Sequence, residues 1–341
     1  MSFIIDPERK TPLYRQIIRH FEEGIRSGEY PVGQSLPSMN VLAAETGISK
    51  ETVKKSYNLM CRSGLIVPKQ GKGFYVNDRG AREKVSVLIL FDRINAYKQV
   101  TLDAFAEALG GKAEITILLH NQNLDLLEYY LDRNLDRYDY YLVTPHFPLD
   151  AQTQQRAALL LRRIPNRKLI MLDHWMQNVP GNYPAIYQDF DNDAASVLEK
   201  HFDDLRGYER LHVITLRSSL YGERICRSID SFCQRTEYPV EFLSEVPKEI
   251  QTGTVYFLLN SQLDSGLAAL ARSIRENHLE IGSDVGIISY NEDPLNELVL
   301  GGLTTMSTDF HAMGLLAAEM ILGQKSLKVH CDFRLIRRLT F

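Results

Sequence analysis

The sequence has 341 residues, of which 24% are charged and 44% hydrophobic, and its formal net charge is −4. This length is sufficient for two or three compact domains, each with its own core. No apolar run approaches the roughly 18 residues that a membrane-spanning helix requires, and the first residues lack a secretion-signal pattern, so we expect a cytoplasmic protein.

The charge is distributed unevenly along the chain. Residues 1–84 contain 14 Lys and Arg against 9 Asp and Glu, whereas the remainder contains 25 against 34. A basic N-terminal part on an acidic body is typical of a nucleic-acid-binding module joined to a domain of another kind. The four cysteines and the histidines lack the spacing of a metal site or a disulfide framework, so we predict neither a metal nor a cofactor.

The first predicted helix begins after Thr11, with Pro12 at its first position, where the missing N–H costs nothing. Its apolar residues recur every four positions: Leu13, Ile17, Phe21 and Ile25. This stripe predicts a helix that packs against the next two helices.

Two short helices and a hairpin are predicted next. Ser38 is a good N-cap for the first helix, Gly47 interrupts it, and Ser49 is an N-cap for the second. Two short helices joined by a tight turn indicate a helix-turn-helix. Two apolar segments, at 65–67 and 74–76, flank a glycine-rich turn and predict the two strands of a wing.

The segment from about Thr11 to Val76 resembles the winged-helix domain of GntR-type transcription regulators. The resemblance rests on Pro12-Leu13-Tyr14, on the LPS at 36–38, on GIS-x-x-TV-x-x-x-Y at 47–57, and on QG-x-G-FYV at 70–76. It implies that the second short helix enters the major groove of DNA and that the wing tip lies at the minor groove.

The same resemblance implies a set of DNA-binding residues on the two short helices and the wing tip: Ser38, Asn40, Ser49, Lys50, Glu51, Thr52, Lys54, Gln70, Gly71, Lys72 and Gly73. Lys50 and Lys54 stand where the family usually has arginines; lysine attracts phosphate but cannot grip guanine with two parallel bonds. Asn40 replaces a common arginine and favours adenine, while Glu51 either accepts from a cytosine amine or points away.

Residues 77–84 (NDRGAREK) are polar and predict a linker between domains 1–76 and 85–341. Beyond the linker, strand and helix patterns alternate in two successive series, which indicates a doubly wound α/β fold with two similar lobes. The predicted strands are 85–91, 115–119, 140–143, 168–172, 211–216, 255–259, 285–289 and 333–340. The predicted helices are 97–109, 124–135, 152–161, 194–204, 223–233, 263–276 and 309–322.

This second region resembles the effector-binding core of the lactose-repressor family, which shares its fold with periplasmic sugar-binding proteins. The motifs that carry the resemblance lie in the last third of the chain: LNSQ at 259–262, IGSDVGIISY at 281–290, LTT at 303–305 and TDFHAMG at 308–314. The first lobe resembles the family in its alternation of strands and helices more than in any sequence motif.

Open α/β sheets bind ligands beyond the carboxyl ends of their strands. The residues that follow the predicted strands combine carboxylates, amides and an aromatic ring, which suit sugar hydroxyls and a sugar's C–H face: Asp92, Asn95, Asp173, Trp175, Asn260 and Asn291. The resemblance points to Asp173 and Asn260, places Asn291 where many members have aspartate, and implies a ligand-binding arginine at Arg224 or Arg227. Each of these residues could instead serve as a helix cap, in a turn or in packing between the lobes.

We therefore predict a homodimeric repressor of sugar-utilisation genes that binds operator DNA and is relieved by a monosaccharide or a sugar phosphate. An activator, or a regulator with a non-sugar ligand, remains open. A GntR-headed, pyridoxal-phosphate aminotransferase-like enzyme is disfavoured because the body is short and poor in lysine, so we predict no enzyme and no catalytic residues. A transport binding protein is disfavoured by the DNA-binding head and the missing signal.

Overall fold

A computed structural model of the chain describes residues 11–77, 84–215, 220–259 and 265–341. The chain divides into two compact units, with the boundary between Val85 and Ser86. Of the predicted elements and sites, residues 1–10 of the first domain, most of the linker, Leu216, Asn260, and Leu263 at the start of a predicted helix lie outside the described residues.

The first unit is a winged helix-turn-helix, as predicted. Its elements are α1 (Leu13–Arg26), α2 (Met39–Thr46), α3 (Lys50–Ser63), β1 (Ile66–Lys69) and β2 (Gly73–Val76). Tyr57 of α3 lies at the centre of its core, with Phe21 and Phe74 packed edge-on at 6.0 and 5.0 Å between ring centroids. The Tyr57 hydroxyl donates a hydrogen bond to the Pro37 carbonyl oxygen at 2.7 Å, which ties α3 to the segment that precedes α2.

The first lobe of the second unit is a six-stranded sheet with helices on both sides. Its elements in chain order are β3 (Val85–Phe91), α4 (Ala96–Leu109), β4 (Ala113–Leu119), α5 (Leu124–Asn134), β5 (Tyr140–Val143), α6 (Ala151–Leu161), β6 (Leu169–Asp173) and β7 (Ala185–Tyr187). The chain returns to this lobe later for α11 (Phe310–Leu322) and β13 (Lys328–His330). The strand order is β13-β7-β6-β5-β3-β4, and the pairs from β13 through β3 are parallel.

The second lobe repeats this arrangement. Its elements are α7 (Asp193–Lys200), α8 (Phe202–Leu205), β8 (Arg210–Ile214), α9 (Gly222–Thr236), β9 (Val240–Leu243), β10 (Thr254–Leu258), α10 (Ser265–Glu276), β11 (Val285–Tyr290), β12 (Thr304–Thr308) and β14 (Phe333–Ile336). The strand order is β14-β12-β11-β10-β8-β9, parallel except for β14 against β12. The predicted two-lobed α/β fold is therefore confirmed, and β6 and β11 hold corresponding places in the two sheets.

In the described part of the chain, three crossings join the lobes: after β7, between β12 and α11, and between β13 and β14. The crossings are bonded to one another. The Asp309 amide donates to the Asp332 carbonyl oxygen at 3.0 Å, and the Cys331 amide donates to the Tyr187 carbonyl oxygen at 2.9 Å. The Thr308 hydroxyl donates to the Gln188 side-chain oxygen at 3.1 Å. The crossings between the lobes are thus hydrogen-bonded to one another, beside the carboxyl ends of the central strands.

The structure differs from the predicted elements in the short strands. β7, β9, β12 and β13 were not predicted, the predicted strand 333–340 ends at Ile336, and His201 separates the predicted helix 194–204 into α7 and α8. The missed strands have three to five residues, and β12 reads TTMST, so burial in a sheet was not visible in its hydropathy. These strands lie at or next to the sheet edges, where packing rather than local sequence decides.

Candidate functional site

In the first unit, polar groups cluster at the start of α3. Ser49 is the N-cap: its hydroxyl accepts from the Thr52 amide at 3.3 Å and lies 2.9 Å from the Thr52 hydroxyl. Ser38 caps α2 in the same way, accepting from the Val41 amide at 3.3 Å. The unpaired amides and positive dipole end of a helix N-terminus favour an anion such as a DNA phosphate.

The charged residues of α3 lie on its exposed side. The side chains of Glu51 and Lys54 are 85% and 57% exposed, and their charged atoms are 3.8 Å apart. A shallow depression continues along this side, lined by Glu51, Lys54, Lys55, Asn58, Leu59 and Arg62. Lys55 is oriented differently, because its ammonium lies 4.1 Å from the centre of the Tyr14 ring. Asn58 and Arg62 follow Lys54 at spacings of four and eight, so they lie on the same side of α3. The DNA-binding residues predicted from the sequence did not include them.

The wing is a tight antiparallel hairpin in which Lys69 pairs with Gly73. Gly71 and Gly73 have φ of +73° and +98°, a left-handed conformation that only glycine adopts readily. The predicted residues of the tip, from Gln70 to Gly73, are all exposed, as is Asn40 on α2. Lys69 is held back from the tip by its position 4.2 Å from the Tyr75 ring centre.

In the second unit, Asp173 ends β6 and is almost completely buried, with 2% of its surface exposed. One carboxylate oxygen accepts a short hydrogen bond from the Gln188 amide. The other oxygen, Oδ2, lies 3.3 Å from His146 Nε2, but neither atom has a hydrogen-bond partner among the described residues. Burial raises the pKa of the Asp173 carboxyl, an effect that the Lys98 ammonium and the Gln188 hydrogen bond oppose.

Asn291 follows β11 and is the counterpart of Asp173 in the second lobe. Both residues have left-handed backbones, with φ of +70° for Asp173 and +68° for Asn291. A side chain with a Cβ is uncommon in that region, and such strain concentrates at functional sites. Within the described part of the chain, the buried Asn291 Oδ1 and the Tyr290 hydroxyl also lack hydrogen-bond partners. Corresponding strand ends of the two lobes therefore both carry strained, unsatisfied polar residues.

A buried ion pair lies beside Asp173. The Lys98 ammonium donates a short hydrogen bond to Asp92, whose carboxylate also accepts from the Thr144 hydroxyl at 3.1 Å. His146 Nδ1 lies 4.0 Å from the same carboxylate. Burial, reinforced by the Lys98 charge, lowers the pKa of His146 well below its usual value, so its imidazole is neutral.

An aromatic ring of the second lobe reaches into this cluster. Tyr221, at the start of α9, stacks on Phe190 with 4.0 Å between ring centroids and an interplanar angle of 6°. His146 and His174 each lie 5.2 Å from the same ring. The Tyr221 hydroxyl is buried and has no hydrogen-bond partner in the described ranges. Burial raises the pKa of Tyr221, and the Asp173 charge adds to that shift.

The other predicted effector residues have definite structural partners. The Asn95 side chain caps α4 by accepting from the Lys98 amide at 3.1 Å. The Trp175 indole donates to the Tyr183 hydroxyl at 3.2 Å, and the Lys328 ammonium lies 4.5 Å from its ring centre, so Trp175 packs within the first lobe.

Of the two candidate arginines, Arg224 lies nearer the cluster. It donates through two nitrogens to Asp191, with Nε to Oδ1 at 2.8 Å, and its guanidinium is 6.0 Å from the Tyr221 ring centre. The Arg224 hydrogen bond lowers the pKa of Asp191. Arg227 is exposed and donates to the Glu223 carbonyl oxygen at 3.5 Å.

The effector-binding residues predicted from the sequence did not include His146, Gln188, Tyr221 or Tyr290. Gln188 follows β7, a three-residue strand that was not predicted, and His146 and Tyr221 lie a few residues beyond their strands. Tyr290 could have been found, because it is the last residue of β11 and stands beside Asn291. No group of three or more His, Cys, Asp or Glu suited to a metal occurs in the described residues. Nor does any helix there have the length and apolar character to span a membrane.

Two family models match the chain. The model of bacterial regulatory proteins of the gntR family matches residues 13–76, and a periplasmic binding protein-like domain matches residues 257–330. The chain is 32% identical over 100 residues to the HTH-type transcriptional repressor YtrA of Bacillus subtilis, a match that covers 29% of this chain and 76% of YtrA. It is 36% identical over 66 residues to the uncharacterized regulator YdeL of the same organism, covering 19% of this chain but only 14% of YdeL.

Solved structures show the fold of the second unit at low sequence identity. A periplasmic binding protein/LacI transcriptional regulator from Alkaliphilus metalliredigens, complexed with D-xylulofuranose, has a TM-score of 0.55 and 14% identity, covering 75% of this chain and 99% of that one. A LacI family regulator from Lactobacillus casei with bound glucose has a TM-score of 0.56 and 14% identity, covering 75% of this chain and 99% of that one.

Proposed function

The chain belongs to the gntR family of bacterial regulatory proteins and is a DNA-binding transcription regulator, and we propose that it is a cytoplasmic repressor released from its operator by a small sugar. In this proposal the winged helix binds operator DNA, and the two-lobed unit binds the sugar between its lobes. The name of YtrA as a repressor supports the direction of regulation.

The first unit has the groups that operator binding requires. Its exposed lysines attract the DNA backbone, the amides at the start of α3 suit a phosphate, and the glycines of the wing tip permit close approach of the backbone. A single winged helix buries a small interface, and useful specificity comes from two half-sites about one or more helical turns apart. We therefore propose that the regulator acts as a homodimer on a palindromic operator.

One observation carries the effector site: buried polar atoms of both lobes lack partners at corresponding strand ends. Asp173 Oδ2 belongs to the first lobe, while Asn291 Oδ1 and the hydroxyls of Tyr221 and Tyr290 belong to the second. A buried polar group without a partner costs about 1–3 kcal/mol, which a ligand with several hydroxyls recovers by hydrogen bonding. The bound xylulofuranose and glucose of the two structural neighbours support a sugar in this cleft.

The position of Tyr221 suggests how binding changes the protein. Its ring lies against His146 and His174, so the lobes must part around Tyr221 to admit a ligand of sugar size. A sugar that contacts both lobes then favours one lobe arrangement over the other, and only such a difference in affinity shifts the equilibrium. In a dimer, the changed lobe arrangement alters the spacing of the two winged helices and weakens operator binding.

Asp173→Ala tests the effector site. A thermal-shift screen of neutral monosaccharides, including glucose and xylulose, first selects the sugar that stabilises the wild type most. Operator DNA is titrated with protein, which gives the number of chains per operator, and the complex is then titrated with that sugar. Loss of charge-assisted hydrogen bonds, each worth about 1.5–3 kcal/mol, should raise the required sugar concentration about tenfold or more, with operator affinity unchanged.

Asp150→Ala is the matched control, since Asp150 is an exposed first-lobe carboxylate that only caps α6. It should respond to the sugar as the wild type does. If Asp173→Ala releases DNA at the wild-type sugar concentration, Asp173 is a packing residue and the site is elsewhere. If no monosaccharide stabilises the wild type, the effector belongs to another chemical class.

A further inference from the structure

The charge of the buried cluster determines which ligands the cleft can hold. Asp92, Lys98, His146 and Asp173 are each less than 10% exposed. Asp92 and Lys98 neutralise each other in a direct ion pair. His146 is neutral, because burial and the nearby ammonium both disfavour its protonated form. Burial raises the pKa of the Asp173 carboxyl, whereas the Lys98 charge and the Gln188 hydrogen bond favour its ionised form. With Asp173 ionised, these four buried groups carry one net negative charge; Arg93, which is not one of them, is half exposed and lies 3.4 Å from Asp92.

The described cations around this cluster already have carboxylate partners. Lys98 is bonded to Asp92, which the half-exposed Arg93 also approaches to 3.4 Å, and Arg224, beside Tyr221, is bonded to Asp191 through two nitrogens. An anionic ligand would therefore face the unpaired Asp173 oxygen. Among the described residues around the cluster it would find no cation that lacks a carboxylate partner. Two like charges about 4–5 Å apart at an effective dielectric constant of about 20 repel strongly enough to weaken binding at least about a hundredfold.

We propose that this cleft selects an uncharged polyhydroxyl ligand and rejects sugar phosphates, sugar acids and other anions, with Asp173 as the residue that enforces the choice. The inference rests on the proposed sugar-binding function and narrows it. It separates neutral monosaccharides from sugar phosphates, which the sequence interpretation left as alternatives.

The unsatisfied groups also favour a neutral ligand over a cationic one. Asp173 Oδ2 and Asn291 Oδ1 are acceptors, whereas the hydroxyls of Tyr221 and Tyr290 can donate or accept. A sugar hydroxyl has one donor and two acceptor positions and so can pair with all of these groups. An ammonium has donors only, would leave tyrosine hydroxyl donors unsatisfied, and would be repelled by Lys98, which lies close enough to lower the pKa of Asp173.

The test compares matched ligands on the full-length wild-type protein by isothermal titration calorimetry. The probes are glucose, glucose 6-phosphate, glucuronate and glucosamine, together with xylulose and xylulose 5-phosphate. We expect the neutral sugar that binds to have a higher affinity than its charged relatives. The difference should be at least about a hundredfold for the phosphate and the acid, and about tenfold for the amine. Because the cluster is buried, the ratio should persist at about 0.5 M salt, where exposed charges are screened.

Asp173→Asn keeps the shape of the side chain and removes its charge. The ratio of neutral to anionic affinity should fall below about tenfold in this variant, while Asp150→Asn, with an exposed carboxylate, leaves the ratio unchanged. The wild-type ratios test the inference even if Asp173→Asn does not fold.

Two failures are distinguishable. If glucose 6-phosphate, glucuronate, glucosamine or xylulose 5-phosphate binds as tightly as its neutral relative, the charge selection is wrong and the sugar-binding function stands. If no probe binds at millimolar concentration and the thermal-shift screen finds no other neutral monosaccharide that stabilises the wild type, the proposed sugar-binding function fails, and the inference falls with it.

Discussion

The two units use the same residue types in opposite surroundings. On α3 of the first unit, the side chains of Glu51 and Lys54 are 85% and 57% exposed and lie 3.8 Å apart. In the second unit, those of Asp92 and Lys98 are 2% and 4% exposed and in direct contact. Water and salt screen the first pair, so its residues can change with little effect on folding. The second pair is desolvated, so removing either partner leaves an uncompensated buried charge.

This difference has a consequence for function. Exposed charges contribute to DNA binding additively and depend on salt, because each contact releases counterions from the duplex. Buried charges act together and hold a defined geometry, which suits discrimination among small ligands. The DNA-binding unit can therefore vary its sequence preference residue by residue, whereas changes in the candidate effector cleft must keep the charges of Asp92 and Lys98 balanced.

The largest expected effect is that of Lys98→Ala on the stability of the second unit. Removing one partner of a buried ion pair costs about 3–5 kcal/mol. Lys54→Ala, the corresponding change on the exposed side of α3, should cost less than about 0.5 kcal/mol. Urea unfolding followed by fluorescence measures the first effect, because Trp175 is the only tryptophan and lies in the first lobe. Circular dichroism at the same urea concentrations reports on both units.

If Lys98→Ala lowers the free energy of unfolding by less than about 1 kcal/mol, the contrast between the two pairs is wrong. The double variant Asp92→Asn with Lys98→Met sharpens the test. It removes both charges and should recover much of the lost stability, because a desolvated ion pair is often no better than neutral groups of similar volume.

A second difference concerns acid. His120 is fully buried in the first lobe, where Nε2 lies 3.0 Å from the Thr144 carbonyl oxygen and the ring stacks on Phe147 at 4.7 Å. Burial lowers its pKa from 6.5 to about 4. Between about pH 6.5 and 4, His120 therefore binds a proton in the unfolded chain but not in the folded chain. The stability this site contributes is complete above about pH 6.5 and is lost as pH falls towards 4, by up to about 3 kcal/mol.

His120→Gln should flatten the pH dependence of unfolding between pH 6.5 and 4, measured by urea midpoints from Trp175 fluorescence. His174, whose pKa burial also lowers to about 4, should leave part of the slope in place. His20 of the first unit is the comparison: burial lowers its pKa too, but the side chain is only partly buried. His20→Gln, followed by circular dichroism because Trp175 lies in the other unit, should change the urea midpoint less at every pH. An equal change in the midpoint would remove the contrast.

Much of the fold could be predicted from the sequence because its signals are local. The Ser38 and Ser49 caps, the glycine that ends α2 and the alternation of buried strands with amphipathic helices each appear within a few residues. The strands that escaped prediction, such as β12 with its TTMST sequence, owe their burial to neighbours distant along the chain. Sheet order depends on the same distant contacts, so the equivalence of β6 and β11 became visible only in the structure.

The candidate site was predictable in its positions but not in its chemistry. The rule that ligands bind beyond strand ends selected Asp173 and Asn291, and the structure shows both as buried, strained and unsatisfied. The rule could not identify Tyr221, which lies among first-lobe rings only because α9 brings it there. Nor could it show that Trp175 packs within its own lobe, since the partner Tyr183 is set by the fold.

The smallest expected effect belongs to the exposed lysines, and it appears in DNA binding rather than stability. Lys50→Ala and Lys54→Ala should each weaken operator binding several-fold and reduce the slope of log K against log salt by about one, if each lysine contacts one phosphate. The measurement is a series of fluorescence-anisotropy titrations on operator DNA between about 50 and 200 mM salt. The free energy of unfolding should change by less than about 0.5 kcal/mol in either variant.

Lys55→Ala is the matched control, with the same charge on the same helix, because its ammonium lies 4.1 Å from the Tyr14 ring centre and is engaged within the unit. Its salt slope should stay close to that of the wild type. Asp173→Asn should leave the slope unchanged as well, since Asp173 lies in the second unit and not in the winged helix. An unchanged slope with both Lys50 and Lys54 removed would mean that another side of the winged helix contacts DNA. Each lysine that contacts a phosphate releases counterions on binding, so its loss from the interface must reduce the slope.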